Sequence, residues 1–402
     1  MRIYIVAAKR TAIGKFMGSL SGFHPSELGA KVISQILADT KMDPGKVDSV
    51  IVGNILSAGQ GQGLARQCAI KAGLPQEVPA YAINMVCGSG MKAIMNACAD
   101  IMAGDASVVI AGGTESMSSA GFVMPGGHIR NGVKMGNISA VDHMVFDGLT
   151  DAFQGYHMGI TAENIAEKHA ISREEQDDFA WQSQQKAIRA QDAGVFDAEI
   201  VPVEIVSRKE TIIFQQDEYP NRVTNRDKLG ALRPAFKKDG TVTAGNASGI
   251  NDGASFVMLA SEKAVEEFNL TPLAEIVAHA QAGVDPAYMG LGPVPAISKA
   301  LSKARLSLKD MDLLELNEAF AAQSLGVVKE LAQQHEVDSA WIQDRCNING
   351  GAIALGHPIG ASGNRIVVTL VNALKSSGKK HGLASLCVGG GMGTAVIIKN
   401  VE

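Results

Sequence analysis

Cys87 is the first residue of the sequence whose setting suggests chemistry. It lies in the stretch NMVCGSGMKA, between an apolar run and a segment with apolar residues at helical spacing. This pattern places the thiol at the start of a helix, where unpaired N–H groups and the helix dipole lower a thiol pKa. Gly88 and Gly90 would let the chain turn sharply and leave the sulfur accessible. Cysteine is also a frequently buried residue type, so this stretch alone leaves open a nucleophile or a core residue.

A histidine enclosed by glycines is the second candidate. His357 lies in GGAIALGHPIGASG, residues 350–363, and Pro358 would stiffen the loop and fix the ring. Core positions favour residues with side-chain neighbours, whereas glycines permit close approach of backbone or ligand. A histidine within hydrogen-bond reach of a thiol is the usual means of making a thiolate. We therefore interpret His357 as a functional residue rather than a core residue.

The third candidate, Cys387, ends an apolar strand pattern in LCVGGGMGTA, residues 386–395, and three glycines follow it. Its sulfur is therefore expected to face a cavity lined by backbone. The sequence has no GxxxxGK[ST], GxSxG or HExxH pattern and no GxGxxG between a strand and a helix, which argues against nucleotide binding, serine hydrolysis and zinc proteolysis. Two thiols and one histidine instead indicate acyl transfer. One thiol would carry the acyl group, the other would move a proton, and backbone N–H groups would hold an oxyanion.

Composition limits the class of protein. The chain has 402 residues, of which 46% are hydrophobic and 19% charged, as expected for a globular protein of two or three packed units. A net charge of −5 with interleaved signs argues against a nucleic-acid surface. No run of about 18 apolar residues could span a membrane, and the apolar stretch at the start is too short for a signal peptide. Five cysteines without a CxxC pair indicate no disulfide or zinc framework, so we expect a cytoplasmic protein with Cys68, Cys98 and Cys346 in its core.

Short apolar runs of strand length alternate with helical patterns, which predicts an α/β protein. Most of these runs lack polar alternation, as expected of strands that are covered on both faces. The predicted strands are residues 3–8, 49–54, 107–113, 255–261, 313–317, 383–390 and 394–399.

Two patterns of elements occur twice along the chain. A helix, a turn, an aspartate and a strand appear around Asp48 and again around Asp312. A Ser-Gly pair, an amphipathic helix, a turn and a strand ending in Gly-Gly begin near Cys87 and again near Gly360. We interpret these patterns as two related halves. His357 then lies three residues from the counterpart of Cys87, so the two loops are expected to meet.

Residues 119–249 between the two halves differ in character. They hold clusters of Gly, Met, His, Asn and Asp and one polar helix pattern. Ser172 and Glu175 have capping-box spacing at the start of that helix, and Gly194 fits its end. An insertion of this length is a lid, a binding loop or a small domain. A ligand is expected between the halves and beneath the insertion.

Four motifs stand in order along the chain, namely NMVCGSGMKA, LLELNEAFAAQ, NINGGAIALGHPIGASG and LCVGGGMG. Together they resemble the thiolase family over essentially the whole chain, and YHMGITAENIA and GNASGINDGA further resemble its acetoacetyl-CoA thiolases. The resemblance implies a layered α/β fold of two related βαβ-built half-domains plus an inserted loop domain. We expect the N-terminal half in residues 1–118 and 250–270, the inserted domain in 119–249 and the C-terminal half in 271–402.

The resemblance also implies an activity, the reversible condensation of two acetyl-CoA into acetoacetyl-CoA and coenzyme A through an acetylated Cys87. His357 would activate that thiol, and Cys387 would move the α-proton of the second substrate. Asn317 would hold a water that forms one oxyanion hole with His357, and the N–H groups of Cys87 and Gly389 would form the other. No metal or redox cofactor would be needed, because coenzyme A arrives as part of the substrate.

In the thiolase family the insertion covers the pantetheine and the nucleotide of coenzyme A. One departure concerns the nucleotide end, because Asn221 stands where relatives often carry an arginine beside the adenine and Arg222 follows one place later. The resemblance further implies a homotetramer. The matching positions expected to bind the substrate are Leu149, His157, Met158, Arg222, Phe236, Ala244, Ser248 and Phe320.

Two alternatives remain open at this point. A 3-ketoacyl-CoA thiolase would act on longer chains, but His157 and Met158 are expected to narrow the pocket against them. A non-catalytic thiolase-like lipid-binding protein could dispense with Cys87, His357 and Cys387, and this sequence keeps all three.

Overall fold

The computed structural model describes residues 1–124, 126–207 and 210–401. Strands and helices alternate along them, as the sequence predicts. The strands are β1 (Ile3–Thr11), β2 (Gly14–Lys15), β3 (Ser49–Gly53), β4 (Ala80–Ile83), β5 (Val108–Ser116), β6 (Phe122–Val123), β7 (Val141–Asp142), β8 (Ile200–Val201), β9 (Val203–Val206), β10 (Thr211–Phe214), β11 (Asn251–Ser261), β12 (Ala274–Gly283), β13 (Leu313–Leu316), β14 (His381–Val388) and β15 (Met392–Asn400).

Eleven of these strands form one main sheet, with helices on its faces, whereas β6 with β7 and β9 with β10 form separate two-stranded sheets. The helices are α1 (Pro25–Thr40), α2 (Leu64–Lys71), α3 (Ser89–Ala103), α4 (Gly126–Arg130), α5 (Met158–Lys168), α6 (Arg173–Asp192), α7 (Arg226–Gly230), α8 (Glu262–Glu267), α9 (Pro293–Ala304), α10 (Ala321–Gln334), α11 (Ser339–Gln343), α12 (Ala352–Leu355) and α13 (Ile359–Ser377). None of the helices in the described ranges is both long and apolar enough to cross a membrane.

The main sheet runs in the order β13-β14-β15-β12-β1-β11-β5-β3-β4. Each strand predicted from an apolar run is present, and β1, β5, β11 and β15 extend beyond the predicted bounds. The strand β12 was not predicted, because its sequence AEIVAHAQAG alternates buried and less buried small residues instead of forming an apolar run. In the sheet, β12 pairs with both β1 and β15 and so joins the strands of the two halves.

The two halves that the sequence predicts contain equivalent hydrogen bonds. Asp48 accepts hydrogen bonds from the N–H groups of Ser107 and Val108 at 2.7 and 2.9 Å, where the neighbouring strand β5 begins. Asp312 does the same in the other half, accepting from Lys380 and His381 at 3.0 and 2.9 Å where β14 begins. The repeated aspartate therefore fixes the start of the adjacent parallel strand in each half.

Helices α3 and α13 occupy equivalent places in the two halves, and the candidates Cys87 and His357 each lie two residues before the first residue of one of them. The two helices pack against each other and against strands of both halves, whereas α1 with α2 and α9 with α10 cover the remaining faces. The close approach depends on glycine. A Cβ at Gly90 would lie 2.8 Å from the backbone nitrogen of Asn364, and one at Gly363 would lie 2.7 Å from that of Met91. Side chains larger than hydrogen would push the two helix starts apart.

Gly113 of β5 offers a direct test of this packing, because a Cβ there would overlap the carbonyl oxygen of Gly360 at the start of α13. We expect Gly113→Ala to lower the free energy of unfolding by about 3 kcal/mol, since backbone atoms cannot move aside as a flexible side chain can. Denaturant unfolding would measure the change. Gly22→Ala is the matched control, because its added Cβ would meet no atom within 4 Å. Equal stability of the two variants would contradict the prediction.

The polar helix of the insertion begins and ends as its sequence predicts. The hydroxyl of Ser172 accepts from the N–H of Glu175 at 3.1 Å, and the Glu175 carboxylate accepts from the N–H of Ser172 at 2.7 Å. After α6, Gly194 adopts a φ of 66°. The residue limits proposed for the three domains stay predictions.

Candidate active site

A mostly apolar cavity of about 500 Å³ brings together residues from all parts of the chain. Cys87, His357, Cys387 and Gly389 are among the residues that line it. These residues are separated by up to about three quarters of the sequence, and they meet because α3 and α13 begin side by side at the ends of their strands. The loops that carry Cys87 and His357 therefore face the same cavity, as the repeat predicts.

Cys87 lies directly before α3, whose N-cap is Gly88, so the predicted position at a helix start is confirmed. The turn that presents it is strained, because Val86 has a φ of 45°, which β-branched residues rarely adopt. Ser89 holds this turn, since its hydroxyl accepts from the N–H of Met85 at 2.8 Å and donates to the carbonyl of Val86 at 2.7 Å. Such strain costs about 1–3 kcal/mol and persists where surrounding structure fixes it.

The thiol of Cys87 is not ionised by its position alone. Burial raises its pKa to about 11, although the backbone N–H groups of Gly389 and of Cys87 itself act on the sulfur in the opposite direction. The penalty of removing a thiolate from water therefore outweighs the helix start. The sulfur keeps its proton at neutral pH, so any reaction of this thiol as a nucleophile would need a base.

His357 has the properties of that base. The ring is 6% exposed, and burial lowers its pKa to about 4, with Arg365 acting in the same direction. The imidazole is therefore neutral at pH 7 and able to accept a proton. Its Nδ1 lies 2.6 Å from the hydroxyl of Ser362. Its Nε2 has no hydrogen-bond partner among the described residues.

The loop that carries His357 is held by Asn251 at the start of β11. The Asn251 side chain accepts from the N–H of His357 at 3.0 Å and donates to the carbonyl of Gly14 at 3.0 Å. Gly356 precedes the histidine with a φ of 103°, and a Cβ there would overlap the amide of Asn251. Glycine is required at this position both for its conformation and for the space that it leaves.

Cys387 lies near the end of β14 and is paired with Gly393 of β15. Gly390 and Gly391 form the turn between these strands with φ values of 84° and 86°. Burial raises the pKa of the Cys387 thiol, and the neighbouring Cys87 acts in the same direction, so the two sulfurs are close enough to influence each other. A buried thiol with a raised pKa forms a strongly basic thiolate, which suits proton exchange with a weakly acidic carbon.

Asn317 follows β13, and its N–H donates to the carbonyl of Ser385 at 3.0 Å. It does not line the cavity itself, whereas Ala319 and Phe320 just after it do. Its side chain is buried, and neither its Oδ1 nor its Nδ2 has a partner among the residues that the structure describes. Buried amides normally form hydrogen bonds, so this group is available to hold a small polar molecule.

The wall of the same cavity contains most of the predicted substrate-binding residues. His157 is the N-cap of α5, and its ring stacks on Phe236 with 4.5 Å between centroids, while Phe320 meets Phe236 edge-on at 6.0 Å. These aromatic rings form an apolar wall that suits a long, thin chain. The predicted residues that line the cavity are Leu149, His157, Met158, Phe236, Ala244, Ser248 and Phe320.

Arg222 is the exception among the predicted binding residues. It does not line the cavity, and its guanidinium instead forms an exposed ion pair with Asp192 at 2.7 Å and a hydrogen bond with Gln191 at 2.8 Å. Both partners lie at the C-terminal end of α6, which is close to Arg222 only in the folded chain. The structure therefore gives Arg222 a surface contact within the insertion.

Other cavity residues were not predicted. Lys15, Phe16, Met117 and Tyr219 line the cavity but belong to none of the motifs. They come from short segments far apart in the sequence, and no local pattern would have indicated their meeting. Within the described ranges, no group of three or more His, Cys, Asp or Glu residues is arranged to hold a metal ion.

Comparison with known proteins assigns both ends of the chain to the same family. A model described as "Thiolase, N-terminal domain" matches residues 3–263, and one described as "Thiolase, C-terminal domain" matches residues 270–400. An acetyl-CoA acetyltransferase of Chromobacterium violaceum is 55% identical over 400 residues, which cover 99% of this chain and 100% of that protein.

Solved structures agree with the fold predicted from the sequence. A crystal structure of the Bacillus anthracis acetyl-CoA acetyltransferase superimposes with a TM-score of 0.95 at 44% identity, covering 100% of this chain and 99% of that chain. A crystal structure of human mitochondrial 3-ketoacyl-CoA thiolase in complex with CoA gives a TM-score of 0.93 at 48% identity, with 100% and 98% covered.

Proposed function

This chain belongs to the thiolase family, and from that premise we propose that it is an acetyl-CoA C-acetyltransferase. It joins two acetyl-CoA into acetoacetyl-CoA and coenzyme A, and it runs in the opposite direction when coenzyme A is plentiful. The observation that carries the proposal is the meeting of Cys87, His357 and Cys387 in one mostly apolar cavity.

In the first half-reaction, the neutral His357 takes the proton of Cys87 through Nε2 as the sulfur attacks the thioester carbon. The bond between carbon and the sulfur of coenzyme A then breaks, and His357 returns the proton to the leaving thiolate. The N–H groups of Cys87 and Gly389 are proposed to hold the acetyl oxygen. Their action on the Cys87 sulfur supports this role, because donors that reach the sulfur are close to the carbonyl bonded to it.

In the second half-reaction, Cys387 gives its proton to Nε2 of the neutral His357, and the resulting thiolate removes an α-proton from the second acetyl-CoA. The carbanion attacks the carbonyl carbon of the acetyl group on Cys87, the bond between that carbon and the Cys87 sulfur breaks, and the Cys87 thiolate takes its proton back from His357. The enolate oxygen is proposed to accept from the protonated His357 and from a water held by Asn317. The unpartnered side chain of Asn317 supports this assignment. Losing one such donor typically costs about 3 kcal/mol of barrier stabilisation.

The route assigns every proton and acyl transfer to a residue of the chain, so it requires no metal or redox cofactor. We propose that the pantetheine of coenzyme A lies against Phe236, Phe320 and Ser248 of the cavity wall. Arg222 is left out of the proposed set because of its pairing with Asp192. The family resemblance supports a homotetramer, and the free cysteines support a reducing, cytoplasmic setting.

Substrate length separates this proposal from a 3-ketoacyl-CoA thiolase of longer chains. We expect thiolysis of acetoacetyl-CoA to have a kcat/KM at least about 10-fold above that of 3-ketooctanoyl-CoA, because extra methylenes would have to enter a cavity narrowed by His157 and Met158. The rate of acetyl-CoA release from each substrate would give the two kcat/KM values. A preference for 3-ketooctanoyl-CoA would contradict the proposal and identify the protein as a 3-ketoacyl-CoA thiolase of longer chains. Turnover of neither substrate would favour a non-catalytic lipid-binding protein.

A further inference from the structure

The ring of His357 is fixed by more than the loop that carries it. Its Nδ1 lies 2.6 Å from the Oγ of Ser362, which is five residues later in the first turns of α13. Ser362 is 2% exposed, and its hydroxyl also contacts the carbonyl of Pro358 at 3.0 Å. The contact with the ring therefore belongs to a short chain of hydrogen bonds inside the protein.

The direction of this chain follows from the chemistry of its members. A carbonyl oxygen only accepts hydrogen bonds, so the contact between Ser362 and Pro358 is a hydrogen bond when the single hydrogen of the Ser362 hydroxyl points to that carbonyl. With the hydrogen in this place, the same oxygen accepts from His357, and Nδ1 carries the proton of the neutral ring. Nε2 is left with a bare lone pair, and it is the ring nitrogen that has no partner among the described residues.

We propose that Ser362 is a positioning residue that holds His357 in the Nδ1-protonated tautomer, so that Nε2 can accept the proton of Cys87. The inference rests on the proposed function and adds a third member to the Cys87–His357 pair. Ser362 is not among the residues that line the cavity.

The proposed step conserves protons and charge. The hydrogen of the Cys87 thiol moves to Nε2, the sulfur electron pair forms the new carbon–sulfur bond, and the ring becomes an imidazolium. Throughout, Nδ1–H continues to donate to Ser362, whose oxygen stabilises the added charge. When coenzyme A leaves, its thiolate takes the proton from Nε2 and the ring returns to its starting tautomer. Without Ser362, the neutral ring can place its proton on Nε2 and rotate, and that form cannot accept from Cys87.

The test compares Ser362→Ala with Ser362→Thr and the unchanged protein. Acetylation of Cys87 is followed by rapid quenching after mixing with acetyl-CoA and by mass spectrometry of the Cys87 peptide. We expect S362A to acetylate about 10- to 100-fold more slowly, because a base without its orienting group loses part of its effect. S362T keeps a hydroxyl that can bond the carbonyl four residues earlier in a helix, so it should recover most of the rate.

A spectroscopic measurement separates orientation from general disruption. In protein labelled with ¹⁵N-histidine, the His357 signals, assigned by their absence in His357→Asn, should show a protonated Nδ1 and an unprotonated Nε2. S362A should shift this pattern toward protonated Nε2 while the other histidine signals keep their positions.

Ser298→Ala is the matched control. The Ser298 hydroxyl also bonds the carbonyl four residues earlier, that of Val294 at 3.1 Å, and lies 3.4 Å from the ring of His335, but Ser298 does not line the cavity. S298A should leave both the rate and the His357 signals unchanged.

The outcomes distinguish the inference from the function on which it rests. If the unchanged protein never acquires an acetyl group on Cys87, the proposed function fails. If it is acetylated but S362A matches its rate, only the role of Ser362 is overturned. A protonated Nε2 in the unchanged protein, or an S362T variant as slow as S362A, would also overturn that role.

Discussion

Changing Cys87 to serine is expected to reduce acetyl transfer and thiolysis by about 10⁴-fold or more. The hydroxyl of serine is a far weaker acid than a thiol. His357, whose pKa burial lowers to about 4, is too weak a base to ionise it in this cavity. The serine ester that would form is also a poorer acyl donor than a thioester. The loss should therefore appear in both directions of the reaction.

Two measurements check this expectation. Steady-state release of coenzyme A gives the loss of turnover, and mass spectrometry after brief exposure to acetyl-CoA shows whether the peptide at position 87 gains an acetyl group. Cys346→Ala is the matched control, because Cys346 lies outside the cavity and burial raises its pKa to about 12. We expect it to keep both turnover and the label. Activity of C87S near that of this control would contradict the assigned nucleophile.

The second large effect concerns Cys387 and separates the two half-reactions. Cys387→Ser should still acetylate Cys87, because His357 alone takes the proton in that step. Condensation should fall by about 10³-fold, since a serine hydroxyl cannot supply the strongly basic group that removes an α-proton. Quenched reactions should therefore contain acetylated enzyme but very little acetoacetyl-CoA.

Single-turnover experiments would measure this separation directly. The acetylation rate and the rate of acetoacetyl-CoA formation are compared between C387S and the same C346A control. Full condensation activity in C387S would show that the second thiol is not the base. Loss of acetylation together with condensation would mean instead that Cys387 is needed for the shape of the site around Cys87.

Burial favours the uncharged form of both Cys87 and His357. It raises the pKa of Cys87 to about 11 and lowers that of His357 to about 4, so each group is held in its neutral form. The sequence pattern at Cys87 indicated a thiol activated by a helix start. The structure reverses the direction of that effect, because desolvation outweighs the N–H groups that point at the sulfur. In the proposed mechanism, proton transfer from Cys87 to His357 therefore takes place only as Cys87 attacks the thioester.

Much of the fold could be predicted because its signals are local. The apolar runs of β1, β5 and β11 mark strands that are covered on both faces, and the Ser172–Glu175 pair marks a helix start through atoms three residues apart. The repeat carried more information than any single motif. Since related halves place equivalent loops together, it predicted that the loops of Cys87 and His357 meet without any knowledge of distances.

Other features depend on contacts that leave no local trace. Arg222 lies outside the cavity and pairs with Asp192, thirty residues earlier in the chain. The part of the cavity wall that contains Tyr219 and Lys15 comes from segments about two hundred residues apart. The positive φ of Val86 is likewise imposed by its surroundings, because valine by itself avoids that conformation.

The sequence by itself therefore determined which residues are proposed to carry the chemistry of this protein, because residue type, motif order and the internal repeat are all written along the chain. Only the tertiary structure decided the protonation states of Cys87 and His357 before substrate binds. Protonation depends on burial, on the hydrogen bonds that Asn251 and Ser362 accept from His357, and on the N–H of Gly389 that donates to Cys87, and these neighbours come to the site only when the chain has folded.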